Sequence, residues 1–365
     1  MPVFSVSFSS EWRPEAPADE DATQTRLGRA GARLRVAVVG LGCGQAHIEG
    51  WREHPQVDVA VIADPDERRL DAVGERYGIA TRYTCAEQML AVESFDVVSI
   101  CAPSDCHKPL ALRAFEAGSH VLCEAPLALN AEDGRTLLAA AQRAGRRLMV
   151  HSPCRFSAQS RALKAHIDSG RLGGICSGRT VWRLRRDTAG CQAGLDADAQ
   201  ACGWPLIDLG AQHLDLALWL MGHPKPTWVL GGPRLAEQAG AARAMADRAS
   251  ALIRFDNGAT LAVEAAWADE TRIETHLSGT RADLLQSHFG EDRRFEASAI
   301  DDGSGLRLDT LRPSPGAPAR SGMHHFAEAI LHDRTHTPGD DDGLLLRQIL
   351  DAISASARSG DPVRL

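Results

Sequence analysis

Five short runs between residues 34 and 152 have centres that are apolar on both faces: "LRVAVVG", "VDVAVIAD", "FDVVSICAP", "HVLCEAP" and "RRLMVHS". A strand with no polar face has to be covered on both sides. The stretches between the runs supply that cover. In "PDERRLDAVGERYG", Leu70, Val73 and Tyr77 share one helical face and Gly78 is a stop. "HKPLALRAFEAG" reads as a helix with Pro109 in its first turn and Gly118 at its end. "NAEDGRTLLAAAQRAG" opens on an Asn130 cap followed by acids and closes on Gly145. Apolar strands alternating with amphipathic helices predict an α/β domain over 34–151, a doubly wound parallel sheet.

Beyond 151 the rhythm changes. "SAQSRALKAHIDSG" reads as a helix, and "ALIRFDNGATLAVEAAW" as a hairpin turning at Asn257-Gly258. "RFEASAIDDGSGLRLDTL" reads as another hairpin, and "HHFAEAILHD" and "DGLLLRQILDAISASARSG" as closing helices. Residues 152–365 are therefore expected to form an α+β domain with a largely antiparallel open sheet. Residues 1–33 are polar and aperiodic, the pattern of a mobile tail.

The net charge of −8 argues against nucleic acid or an anionic membrane as the main partner. No apolar run approaches the ~18 residues of a membrane span. The opening "MPVFSVSFSS" lacks the basic region and cleavage site of a secretory signal. The nine cysteines are odd in number and form no CxxC pair. That pattern fits reduced thiols in the cytoplasm, with neither a disulfide framework nor a metal centre. Of 40 basic residues only Lys108, Lys164 and Lys225 are lysines, so any relay through an amine has three candidates.

The chemistry gathers at the ends of the apolar runs. "VGLGCGQAH" places Gly40 and Gly42 between a strand and a helix, with Gly44 and Gln45 following. Two such glycines allow a tight turn whose amides meet a pyrophosphate at the helix N-terminus. Asp64 closes the second run, 24 residues after Gly40. A carboxylate there accepts ribose hydroxyls and repels a 2′-phosphate, which favours NAD over NADP.

These pieces, with "DVVSICAPSDCHKPLALRAFEAGSHVLCEAPLA", "RALKAHIDSGRLGGI" and "PLIDLGAQHLDLALWLMG", resemble the Gfo/Idh/MocA oxidoreductases from Leu34 to the C-terminus. The resemblance implies a Rossmann domain, then an α+β domain whose sheet mediates a homodimer or homotetramer. It also implies a nicotinamide cofactor and a sugar, cyclitol or similar polyol as substrate. Pro103, Ser104 and His107 match the family's loop near the nicotinamide ribose. Glu124, Ala125 and Pro126 match its Glu-Lys-Pro motif. Asp208 and Gln212 match an Asp-x-x-x-His pair. The family's lysine binds the reacting hydroxyl and its histidine exchanges the proton; here they are Ala125 and Gln212.

A positioned acid/base group is worth ~10²–10⁴-fold in rate, so three readings stay open. In the first, an oxidoreductase uses a rearranged relay through Asp208, His213, His107 or Lys108. His213 lies about 140° round a helix from Asp208, which aims it elsewhere unless the helix starts irregularly. In the second, the enzyme reduces a substrate that needs little proton help, such as an imine. In the third, the protein binds nucleotide and has lost catalysis. Specificity is expected from Arg155, Arg183 and Trp204. His324, His325 and His332 read as surface residues.

Overall fold

The computed structural model describes residues 33–185, 206, 210–232, 248–268, 270–289, 296–301, 307–310 and 320–365. The expected tail, residues 1–33, lies outside these except for Arg33. The chain divides into two compact units, Met1–His151 with Arg320–Arg347, and Ser152–Ala319 with Gln348–Leu365.

The first unit alternates strands and helices. The strands are β1 (Leu34–Val39), β2 (Val57–Ala63), β3 (Thr81–Tyr83), β4 (Val97–Ile100), β5 (His120–Cys123) and β6 (Leu148–Val150). The helices between them are α1 (Gly44–Arg52), α2 (Glu67–Tyr77), α3 (Ala86–Val92), α4 (Ser104–Glu116) and α5 (Ala131–Arg143). All six strands are parallel, in the order β3-β2-β1-β4-β5-β6. β4 and β5 are buried at every position, as runs apolar on both faces require. Burying one such Val, Leu or Ile side chain stabilises by ~1.5–3 kcal/mol. Capping follows the sequence: Asp66 accepts from Arg68 N and Arg69 N, Asn130 from Asp133 N, and Gly78 ends α2 at φ +64.

Two local readings change. The helix after β4 begins at Ser104, not at His107, so Pro109 lies inside it rather than in its first turn. Residues 320–347 pack with the first unit, not the second. Their helix α9 (Gly322–Leu331) lies on α1, where a Cβ on Gly50 would come 2.9 Å from Met323 Sδ. His54 Nε2 pairs with Glu328 Oε1 at 2.9 Å, and the His54 ring lies 4.7 Å from that of His324. His324 and His325 are therefore half-buried, and only His332 of the three is exposed.

The second unit holds α6 (Pro153–Phe156), α7 (Ala158–Asp168), β7 (Ile175–Arg185), α8 (Ala211–Leu220), β8 (Pro226–Gly231), β9 (Arg248–Phe255) and β10 (Thr260–Ala268). It continues with β11 (Arg272–Gly279), β12 (Ala282–Phe289), β13 (Glu296–Asp301) and β14 (Arg307–Thr310). The last helix, α10 (Asp342–Ser359), begins in the first unit, and β15 (Val363–Arg364) closes the chain. The nine strands run β14-β13-β12-β11-β7-β10-β9-β8-β15, antiparallel except for the β7–β10 pair. Both expected hairpins form, β9–β10 and β13–β14. β9 alternates exposed and buried residues along its length, so one face of the sheet is core and the other is open. Among the described residues, no helix is long and apolar enough to cross a membrane.

Candidate active site

The turn after β1 has the shape that a pyrophosphate requires. Gly40 stands at φ +85, and a Cβ there would lie 2.7 Å from the backbone of Cys101 and Ala102. A side chain has no room there and would be conformationally strained. Gly42 is exposed, with nothing within 4 Å of its Cβ position. Gly44 opens α1 in close contact with Val38. No side chain caps α1, which leaves its first amides open to an anion. Gln45 turns aside, its Oε1 accepting from Arg76 at 3.0 Å.

At the end of β2, Asp64 is buried. Its Oδ2 accepts from Leu41 N at 2.7 Å, and its Oδ1 from Asp66 N at 2.9 Å. Arg69 Nη1 reaches both oxygens, at 3.2 and 3.3 Å. Asp64 thus braces the glycine turn. A ribose hydroxyl competes with Arg69 for the acceptor positions that are left, of about four on a carboxylate. Sequence reasoning missed Arg69, because nothing in its spacing singles it out.

Beyond β4, Pro103 is the N-cap residue of α4 and Ser104 its first residue. His107 is buried between two carbonyls, Nδ1 at 2.9 Å from Pro126 O and Nε2 at 2.8 Å from Ala102 O. Burial lowers its pKa. The neutral ring has one proton and donates to one of these two carbonyls at a time, and both nitrogens are shut off from a substrate. Lys108 pairs with Asp133 on α5, which turns its amine toward the neighbouring helix.

In the second unit, Asp208 and Trp204 lie outside the described residues. α8 begins only at Ala211. Gln212 is half-buried, its Oε1 at 3.9 Å from Cys154 Sγ. His213 is buried edge-on against Trp182, with ring centroids 3.5 Å apart, and its Nδ1 has no hydrogen-bond partner. Burial pushes its pKa down to about 3. Arg155 is buried against Asp215, and Arg183 pairs with Glu264. The two arginines expected to read a substrate are thus engaged with carboxylates.

The densest arrangement is one that the sequence reading passed over. Glu124 follows β5 and His151 follows β6, side by side at the carboxyl edge of the sheet. His47, from α1, donates to Glu124: its Nε2 is 2.7 Å from Oε1. On the far side of that ring, Nδ1 lies 2.8 Å from Ser99 Oγ, which also accepts from Trp51 Nε1 at 3.1 Å. Trp51 can only donate. The Glu124 carboxylate can only accept, so His47 carries a proton on Nε2, toward Glu124, and Ser99 Oγ, with one proton and two lone pairs, meets Nδ1 whichever of the two donates. Ala125 N donates to the other carboxylate oxygen at 3.3 Å. Burial raises the Glu124 carboxyl, and the His151 ring with the His47 hydrogen bond more than reverses this, to about 2.

His151 completes the group. Its ring lies 4.6 Å from that of His47, and its Nδ1 is buried without a hydrogen-bond partner. Burial lowers it to about 4, against the pull of Glu124. One donor atom each of His47, Glu124 and His151 lies within 4.8 Å of the others, and the same holds for His54, His324 and Glu328. In both groups the central histidine is already protonated toward its carboxylate, since His54 Nδ1 accepts from Gln56 N at 3.1 Å. That arrangement suits proton handling better than metal ligation. His47 was detectable as the histidine three residues after Gly44; His151 carries no sequence signal beyond ending a strand.

Comparison with known proteins identifies the fold and the family. Residues 34–152 match the oxidoreductase family described as an NAD-binding Rossmann fold. Residues 160–285 match the GFO/IDH/MocA C-terminal domain. The chain is 28% identical to the D-apiose dehydrogenase of Paraburkholderia graminis, over 94% of each chain. It is 26% identical to the D-glucoside 3-dehydrogenase of Escherichia coli, over 91% of this chain and 97% of that one. Its fold superposes on the aldose-aldose oxidoreductase of Caulobacter crescentus, solved with glycerol, with a TM-score of 0.77, 26% identity, and coverage of 91% and 100%.

Proposed function

We propose, for a chain that belongs to the Gfo/Idh/MocA family of oxidoreductases, hydride transfer between NAD and a hydroxyl-bearing carbon of a sugar or related polyol. The observation that carries this reading is the strand–glycine–helix turn at Gly40 braced by buried Asp64, in a chain related over nearly its whole length to sugar dehydrogenases. In this reading the turn from Gly40 to Gln45 holds the pyrophosphate and Asp64 holds the adenosine ribose. Pro103, Ser104 and Ala125 line the nicotinamide end. Bound NAD supplies the hydride acceptor. The alcohol proton still needs a base, and the family's lysine and histidine are Ala125 and Gln212.

His151 supports that role better than three of the four groups weighed from the sequence. His107 is tied to two carbonyls, Lys108 to Asp133, and His213 lies buried against Trp182. Asp208 is outside the described residues. One nitrogen of His151 lies within 4.8 Å of the Glu124 carboxylate, and its buried Nδ1 has no hydrogen-bond partner. With a pKa of about 4, it is in its accepting form at neutral pH. Glu124, anionic and held by His47 Nε2 and Ala125 N, is the group that stabilises the imidazolium once the proton arrives. The open face of the second unit's sheet, with Leu230 and Leu252 exposed on it, supports self-association as a homodimer or homotetramer.

Calorimetric titration should give tighter binding of NADH than of NADPH, and Arg69→Ala should widen the gap by removing the cation nearest Asp64. NADH formation from NAD should then appear with at least one member of a panel of aldoses, glucosides and inositols. Tighter binding of NADPH would reverse the assignment of Asp64. NADH binding with no turnover of any panel member would favour a nucleotide-binding protein that has lost catalysis.

A further inference from the structure

Two thiols flank the crevice where the strand order reverses between β1 and β4. Cys43 is the exposed residue of the glycine turn immediately before α1. Cys101 is the buried residue immediately after β4. Cys43 Sγ lies 3.5 Å from Cys101 O. One residue along, a Cβ on Gly44 would be 3.7 Å from Cys101 Cβ. The Cys43 and Cys101 thiols also hydrogen-bond each other, so a small movement of the turn brings the two sulfurs together.

The two sulfurs are chemically distinct. A hydrogen bond from the Cys101 thiol lowers the pKa of Cys43. Burial, then that same bond, raises Cys101 well above the ordinary thiol value. An exposed, acidified thiol is the one that reacts with an oxidant, and a buried, protonated neighbour is placed to resolve it.

We infer that Cys43 and Cys101 are a redox-modification site that forms a disulfide with hydrogen peroxide and closes the nucleotide seat, an inference that rests on the NAD-binding reading above. The Cys43 thiolate attacks one peroxide oxygen. The O–O bond breaks, leaving a sulfenic acid on Cys43 and, after protonation, one water. The Cys101 sulfur then attacks Cys43 Sγ. The S–S bond forms, the S–O bond breaks, and the departing hydroxide takes the Cys101 proton as a second water. Peroxide is reduced by two electrons and the thiol pair is oxidised by two. Cys101 N is held by Val39 O at 2.7 Å in the β1–β4 ladder, so Cys101 stays in place. The glycine turn has to move instead, and with it the amides that face the pyrophosphate.

The test uses the full chain, reduced with dithiothreitol or treated with hydrogen peroxide and then desalted. Peptide mapping of the oxidised protein should show a Cys43–Cys101 link with two hydrogens lost. NADH affinity, read by fluorescence, should fall at least tenfold and return on reduction. Cys101→Ala should keep NADH binding after peroxide and trap a sulfenic acid on Cys43 as a dimedone adduct. A link from Cys101 to Cys123, or no link, overturns the site. A mapped Cys43–Cys101 link with unchanged NADH affinity overturns the closure. Reduced protein that never binds NADH overturns the nucleotide reading and the closure with it, while the peptide map still judges the bond.

Discussion

Replacing His151 with Asn is expected to lower turnover of the substrate found by panel screening by about 10²–10⁴-fold. KM and NADH affinity should change little, because the substitution removes a proton acceptor and keeps a polar side chain of similar reach. The pH profile carries the sharper signature. The unprotonated ring is the active form and its pKa is about 4. kcat/KM should therefore be flat through neutral pH and fall on the acid side only near that value. In His151→Asn that limb should vanish from the residual activity. A variant that works like wild type, or one that keeps the limb, would move the proton to another group. Restoring the family's pair in the same background, Ala125→Lys with Gln212→His, should recover turnover only when both are present, since groups acting as a unit are strongly non-additive.

The largest loss of stability is expected at Asp215. Its carboxylate receives Arg155 Nε at 2.7 Å, together with closer contacts from Arg155 Nη2 and Ser152 Oγ. Both partners are almost completely buried, with side chains 1% and 6% exposed. Taking one member from a buried ion pair costs about 3–5 kcal/mol, because the remaining charge keeps its desolvation penalty. Asp215→Asn should lower the stability of the second unit by that amount, read from denaturant unfolding followed by tryptophan fluorescence. A loss below about 1 kcal/mol, the scale of an exposed pair, would show that Arg155 is held by its other contacts. The position is instructive because the sequence offered Arg155 as a substrate-reading residue. Its burial makes it a brace instead.

Five of the six strands of the first unit were written in the chain; β3, three half-buried residues at the sheet edge, was not. Runs apolar on both faces leave a parallel sheet covered by helices as their stable arrangement, and β1, β2, β4, β5 and β6 fall on the five runs. The glycine turn was legible for the same reason. Gly40 needs a positive φ and Asp64 needs the end of β2, and both demands are local and fixed by residue type. Ala125 and Gln212, where the resembled motifs carry a lysine and a histidine, are departures read letter by letter, and the paired substitution above is what tests their meaning.

What only the tertiary structure decided is which side chains meet. Glu124 is 77 residues from His47, and neither position has a periodicity that announces the other. Parallel pairing of β5 with β6 sets Glu124 beside His151, and α1 then brings His47 to the same edge. His107, Lys108 and His213 all stayed open as relay candidates in one dimension. Two carbonyls, one aspartate and one tryptophan ring engage them in three. A side chain's chemistry is set by its residue type, but its freedom to act is set by what packs against it. Packing joins residues far apart in the chain, so that part could not be read from the sequence alone.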